Sequence, residues 1–466
     1  MKKRSESLDA LRGFAILAMV LSGSIAFGNV LPGWMFHAQV PPPDHTFHPD
    51  LPGITWVDLV FPFFLFSMGA AFPLALNKKI EQGASKWELT WSIVQRGLLL
   101  VFFSLFTMHI RAYVNNDSNT TKWLLAIFSF ALVHFMFVQW PAYITKKTAL
   151  ILKIAAFAVG IFILSQLRFK DGTGFSLKRF DIILMVLANM AVFGSVAWVL
   201  TRNKPWHRLL ILPFIMGVFL SGAVDGSWTK TLFTWTPATG LYSFYYLKYL
   251  FIIIPGTIAG EWLMAAANNK TVTHTSFKTE AMILALLSFA LVIVNLIGLY
   301  GRYLVSNLLI SAGIAALCLY LSKRIAQKTG NELFVRFTQA GTYLLLLGLV
   351  FEAYQGGIKK DISTYSYYFV TSGLAFYVLG GCLLLEAQQT GMKVLSFFAA
   401  NGKNPMVAYV AGNLVLIPLM ALTHTTPWLD SLNTSAWGGF LRGVIFTGIV
   451  SLITLWFVRM KWFWKT

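Results

Sequence analysis

Apolar stretches of about 17–22 residues recur from one end of the chain to the other, each long enough to cross a hydrocarbon core of about 30 Å as a helix. They lie near 9–28, 57–76, 91–112, 122–142, 148–166, 181–200, 208–223, 246–266, 280–299, 303–321, 337–354, 367–386, 406–422 and 439–458. This spacing predicts an all-α, polytopic transmembrane helical bundle of about 14 spans, within a range of 10–14. A soluble domain needs roughly 25% charged residues to cover its surface. Here 12% are charged and 57% are hydrophobic, which excludes a cytosolic enzyme, a disordered chain and a nucleic-acid partner. The two cysteines, Cys318 and Cys382, sit inside apolar runs and build no disulfide framework.

The balance of 37 Lys+Arg against 18 Asp+Glu fits cytoplasmic loops of a membrane protein. With the N-terminus inside, the inner loops gather roughly 22 basic residues against about 10 outside. Lys2, Lys3, Arg4, Lys78, Lys79, Lys270 and Lys403 are among them. Both termini are therefore expected in the cytoplasm. The first apolar run follows basic residues as a signal peptide would, but Asp9 and Arg12 stand in its first turns and further spans follow. It is read as a retained helix. With no soluble insertion, residues 1–466 are expected to form a single integral membrane domain.

The longest outer loop, about 29–56, holds Pro41-Pro42-Pro43 and three of the eight histidines, His37, His45 and His48, without any Lys or Arg. Thr55-Trp56-Val57-Asp58 then opens the second span. Thr55 fits an N-cap, and Asp58 at the third helical position meets free N–H groups. Asp58 can at the same time hydrogen-bond one nitrogen of His48, fixing its tautomer and raising the basicity of the other. Three loop histidines also raise a zinc site. The loop has no Cys, and its prolines break any helix that would align the ligands, so no metal is expected.

At the inner end of the first span, Asp9 and Arg12 are one turn apart, as a local ion pair or as an anion site that Arg12 provides and Asp9 orients. Arg96 presents the same choice, with snorkelling to the interface as its simpler reading. Asn401-Gly402-Lys403-Asn404-Pro405 reads as a helix start with Asn404 as cap, and Lys403 beside it makes an anion site equally open. Tyr409 lies one turn into that helix. The intramembrane residues His134, Asn189, Glu261, Asn295 and Glu352 are expected to bond between helices.

Two segments carry a resemblance. Ser7-Leu8-Asp9-Ala10-Leu11-Arg12-Gly13, and Gly53-Ile54-Thr55-Trp56-Val57-Asp58-Leu59-Val60-Phe61-Pro62, are similar to the heparan-α-glucosaminide N-acetyltransferase family of transmembrane acyltransferases. Arg336-Phe337-Thr338, the Asn404 helix start with Tyr409, and Trp462-Phe463-Trp464-Lys465 look similar as well. In that family a histidine stands ten residues before the Asp of Asp-Leu-Val-Phe-Pro, and counting back from Asp58 reaches His48.

The resemblance implies acetyl transfer from cytosolic acetyl-CoA, a substrate and not a resident cofactor, to an amine or hydroxyl of a sugar at the outer face. His48 would act as general base and Asp58 would orient it. An acetyl-histidine is the less favoured route. Coenzyme A would dock at the basic inner face through Arg12, Arg96, Lys403 and Asn404, with Asp9 and Tyr409 assisting. The expected location is a bacterial cytoplasmic (inner) membrane, the lipid bilayer is the surrounding partner, and a homodimer is compatible with all of this. The alternative is a secondary transporter of a small solute or lipid-linked sugar, which would show a repeat between halves.

Overall fold

The computed structural model describes residues 5–112, 119–141, 143–267 and 277–466; Lys2, Lys3, Arg4 and Lys270 lie outside them. Helices account for the regular structure, and among the described residues no strand forms. The main helices are α1 Glu6–Ser22, α2 Trp56–Glu81, α3 Lys86–Ile110, α4 Asn119–Phe137, α5 Lys146–Gln166 and α6 Ile182–Leu200. They continue as α7 Leu250–Ala266, α8 Lys278–Tyr300, α9 Leu304–Thr329, α10 Leu333–Phe351, α11 Tyr365–Ala387 and α12 Met392–Gly402. The last two are α13 Pro405–Leu422 and α14 Ala436–Arg459. Among the described residues, twelve helices are long and apolar enough to cross a membrane: α2 to α11, α13 and α14. The chain is an all-α polytopic helical bundle.

Two of the expected spans come out shorter, each for a local reason. The one over 9–28 ends at Ser22, where the Ser22 and Ser24 hydroxyls turn back onto the Met19 and Val20 carbonyls at 2.9 and 2.8 Å. The one over 208–223 is two pieces, Pro205–Leu209 and Ile211–Ser221. Pro213 has no N–H to give the Leu209 carbonyl, so the helix restarts there.

Contacts divide the chain into two compact units, residues 1–82, 251–402 and 435–440 in the first and residues 83–250, 403–434 and 441–466 in the second. In the first unit α1 crosses α12 backbone to backbone. A Cβ on Gly13 would lie 1.8 Å from the Phe398 carbonyl oxygen, and one on Gly402 would lie 1.9 Å from that of Asp9. Small residues at such a crossing let backbones approach where lipid offers no hydrophobic drive. Glu386, at the end of α11, closes the start of α1, accepting the Glu6 and Ser7 main-chain N–H groups at 3.2 and 3.0 Å and both the Ser5 and Ser7 hydroxyls. A carboxylate there meets free N–H groups and the positive end of the helix dipole.

At the opposite end of this unit three connections converge. Gly53 donates its N–H to the Ile358 carbonyl at 2.7 Å, and Glu352 pairs with Arg302 at 2.5 Å while accepting the Ile358 N–H at 3.2 Å. Gly53 has φ +132°, a conformation that favours glycine, and a Cβ would stand 3.4 Å from the Leu299 carbonyl oxygen. Of the polar residues expected to bond between helices, Asn295 of α8 donates to Ser311 of α9 at 3.0 Å and accepts from Asn307 at 3.1 Å.

In the second unit, Ser104 of α3 donates to the Asp181 carbonyl at 2.8 Å, and the Asp181 carboxylate caps α6 at the Ile183 and Leu184 N–H groups, 3.1 and 3.2 Å away. Trp464 donates its indole N–H to His134 at 3.0 Å, tying the tail to α4. Within α13 the residues Gly412–Leu416 form one wider, π-helical turn.

Candidate active site

The first unit carries a histidine–aspartate pair at the N-terminus of α2. Thr55 is the N-cap and Asp58 the third residue of the helix, as the sequence predicts. Its side chain closes the first turn, with Oδ2 accepting the Thr55 main-chain N–H at 2.9 Å. The Thr55 hydroxyl turns instead toward the Phe36 carbonyl at 2.6 Å, which ties the incoming loop to the same turn. Oδ2 also accepts the Ala38 N–H at 3.2 Å. Oδ1 meets His37 Nδ1 at 2.6 Å. Tyr367, buried on α11, donates its hydroxyl to the Asp58 main-chain oxygen at 2.8 Å and holds the helix start from behind.

This corrects the pairing expected of His48. Asp58 is fully buried and its histidine partner is His37, about one third exposed at 36%. The reason lies in the loop: Pro41-Pro42-Pro43 turns the chain outward after Val40, and residues 46–50 stand exposed. There the His48 ring contacts the Thr46 hydroxyl at 3.0 Å, and only its main-chain N–H returns, to the Gln39 carbonyl at 2.8 Å. The same hydroxyl, donated at 2.7 Å, holds the Asp44 carboxyl below its usual range. His45 is structural: it accepts the Gly28 N–H at Nε2, 2.9 Å away, and packs edge-on against Phe27 and Phe36.

With Nδ1 committed to a carboxylate, the proton of the neutral His37 ring resides on Nδ1 and the lone pair on Nε2. Lys360, from the connection between α10 and α11, brings its Nζ to 3.2 Å from both ring nitrogens. An atom in the ring plane at that distance from both would overlap Cε1, so the ammonium lies over the ring face. The in-plane lone pair of Nε2 stays available. Sequence reasoning missed this lysine, 323 positions from His37. A signal existed, because the orientation expected from the sequence puts Lys359-Lys360 on an outer connection, where basic residues are depleted.

The other expected residues divide between the units. In the first, Arg12 reaches Asp9 at 3.2 Å and the Ser67 carbonyl at 3.4 Å, and its side chain is 13% exposed. In the second, Arg96 sits half-buried on α3 and Lys403 is exposed just before α13. Asn404 occupies the cap position, but its side chain gives no cap hydrogen bond. It donates to the Trp462 carbonyl at 2.8 Å and accepts the Trp464 N–H at 3.1 Å, so both ends of the amide serve the tail. Tyr409 donates to Asp181 Oδ2 at 2.8 Å, the oxygen that Arg111 also holds at 2.5 Å. Asn404 and Tyr409 are thus internal struts, since a buried amide or hydroxyl takes the partners nearest at hand.

Residues 4–263 match a family described as a domain of unknown function, DUF5009. The chain belongs to that family. The DUF5009 segment contains His37, Asp58, Arg111 and Asp181, whereas Lys360, Tyr367 and Tyr409 lie beyond it. The chain is also similar to the heparan-α-glucosaminide N-acetyltransferase of Homo sapiens, 32% identical over 108 residues, which are 23% of this chain and 14% of the relative. The enzyme of that name from Mus musculus is 34% identical over 100 residues, 21% of this chain and 13% of the relative. The matched stretch spans about one seventh of the length of these relatives.

Proposed function

We propose that this DUF5009 protein is a membrane acetyltransferase that moves acetyl from acetyl-CoA to an amine or hydroxyl of a sugar, with His37 as general base. The observation that carries the reading is the His37–Asp58 pair, with Nε2 unengaged in the ring plane, in a polytopic membrane protein similar to N-acetyltransferases. Asp58 fixes the ring orientation and stabilises the imidazolium that forms. Nε2 takes the acceptor proton as the acceptor attacks the thioester carbonyl. The carbon–sulfur bond then breaks, and the departing sulfur receives that proton.

Acetyl-CoA carries phosphates that cannot cross lipid, so the donor enters from the cytoplasm toward basic side chains, with Arg12, Arg96 and Lys403 as candidates and Asp9 orienting Arg12. The sugar meets His37 at the outer, periplasmic face of a bacterial inner membrane. Direct attack is preferred to an acetyl-histidine because it needs a single reactive histidine. A homodimer is compatible with this arrangement.

The test uses purified protein in liposomes with isotopically labelled acetyl-CoA and a panel of amino sugars and oligosaccharides. Label should pass to an acceptor and the transfer should vanish in His37→Ala. Transfer that survives this substitution, or a wild-type protein that neither binds coenzyme A nor transfers acetyl, would overturn the reading.

A further inference from the structure

We propose that Lys360 is the electrophilic group of the site: its ammonium, fixed over the His37 ring, donates hydrogen bonds to the oxygen of an acyl carbonyl under attack. The proposal rests on the reading of His37 as base and adds the group that receives the charge of the transition state.

Three observations carry it. Lys360 is 17% exposed, and its ion pair with Asp361 is long, with Oδ2 3.9 Å from Nζ. An ammonium has three N–H donors, and one placed over the ring face leaves them for a ligand beside Nε2. The position is also built in advance. Lys359 N–H donates to the Thr364 hydroxyl at 3.1 Å, Thr364 N–H returns to the Lys359 carbonyl at 3.1 Å, and Ile358 is held by Gly53. Donors fixed before the reaction stabilise developing charge without reorganising.

The charges close. The groups facing the ring are Asp58 from α2 and Lys360, with Asp361, from the connection before α11. Asp58 meets Nδ1 and the Lys360 ammonium lies 3.2 Å from both ring nitrogens, so the ring stands between one fixed charge of each sign. When the acceptor forms its bond to the carbonyl carbon, its proton goes to Nε2 and the C=O electron pair moves onto oxygen. The imidazolium and the oxyanion then appear together, the second beside the ammonium. On collapse the oxygen's electron pair re-forms the C=O bond, the C–S bond breaks, and the sulfur leaves with the C–S pair and takes the proton from Nε2. No other reactant is required.

The experiment uses the full-length protein in detergent and two acyl donors. Diethyl pyrocarbonate acylates imidazole nitrogen, and its attachment to His37 at a fixed pH is followed by peptide mass spectrometry. Labelled acetyl-CoA reports transfer. In Lys360→Met, kcat for transfer should fall about 100-fold or more with little change in KM for acetyl-CoA. The rate of His37 acylation should fall as well, because the oxygen of the carbonyl under attack loses the ammonium there too. Lys360→Arg should restore both in part. Lys360→Gln repeats the test where Lys360→Met melts early. A wild-type acylation rate and a wild-type kcat in a folded Met or Gln variant overturn the proposal. Acylation of His37 that depends on Lys360, in a protein that transfers nothing from acetyl-CoA, overturns the acetyl-CoA reading and supports the role of Lys360.

Discussion

His37 and Asp58 lie 21 positions apart in the chain and 2.6 Å apart in space, and this contact decides which of three loop histidines is held by a buried carboxylate. His48 has a solvent-exposed ring on a threonine hydroxyl; His37 has a buried carboxylate that is itself held by two main-chain N–H donors, Ala38 and Thr55. General-base catalysis contributes about 10²–10⁴-fold, so His37→Ala should reduce kcat by that order while His48→Ala stays within a few fold of wild type. The two variants are compared by label transfer from acetyl-CoA. The reverse ranking would return the base to His48.

Asp58→Asn keeps the size and replaces an acceptor by a donor. The Asn NH2 would face either the Thr55 N–H or His37 Nδ1–H, leaving donors opposed in a fully buried place. A lost partner for a buried group costs about 1–3 kcal/mol, and thermal melting should show this together with a fall in kcat. A variant that melts like wild type would mean the helix start does not depend on this side chain.

Gly402→Ala should destabilise the first unit. Its methyl would be driven onto the Asp9 main-chain oxygen, 1.9 Å away, and only separation of α1 from α12 relieves it. Overpacking of this kind costs about 1–3 kcal/mol or more. Gly313→Ala, on α9, where nothing lies within 4 Å of the added carbon and φ is not positive, serves as the comparison. Differential scanning of the two proteins checks the ranking, and equal melting temperatures would contradict the close crossing.

The Asp181 cluster offers a graded series. Removing the Tyr409 hydroxyl leaves Asp181 with Arg111 and the α6 cap, so Tyr409→Phe should cost about 1 kcal/mol. Asp181→Ala removes the carboxylate from a part-buried guanidinium and uncaps α6, and should cost more, about 2–4 kcal/mol. Melting measurements that reverse this order would remove the cluster as a strut. If Tyr409 instead served the donor, Tyr409→Phe would raise KM for acetyl-CoA without a change in stability.

Much of this was legible in the sequence, and the rest was not for identifiable reasons. Hydropathy marks spans because lipid allows only long apolar helices, so α2 to α11 were locatable within a few residues. Thr55 and Asp58 were legible because a helix start has a short-range grammar. The partner of Asp58 was not, because counting along the loop treats it as a rod, whereas three prolines bend it and bring an earlier histidine to the carboxylate. Glu386 and Lys360 were out of reach, since each acts on residues more than 300 positions away through packing that no local pattern records. Asn404 and Tyr409 were found as polar residues on a membrane helix, but their neighbours Trp462 and Asp181 could be known only from the fold.

The first unit is assembled from three separate stretches, with the helices α3 to α6 of the second threaded between them. A ribosome therefore releases His37 and Asp58 early, and must make some 300 further residues before Lys360 and the Tyr367 that steadies Asp58 exist at all. Until then the imidazole has no cation above it, so the proposed site is incomplete while α3 to α6 are entering the bilayer. Its completion would be a late event of biogenesis, timed by the emergence of Lys360 and α11.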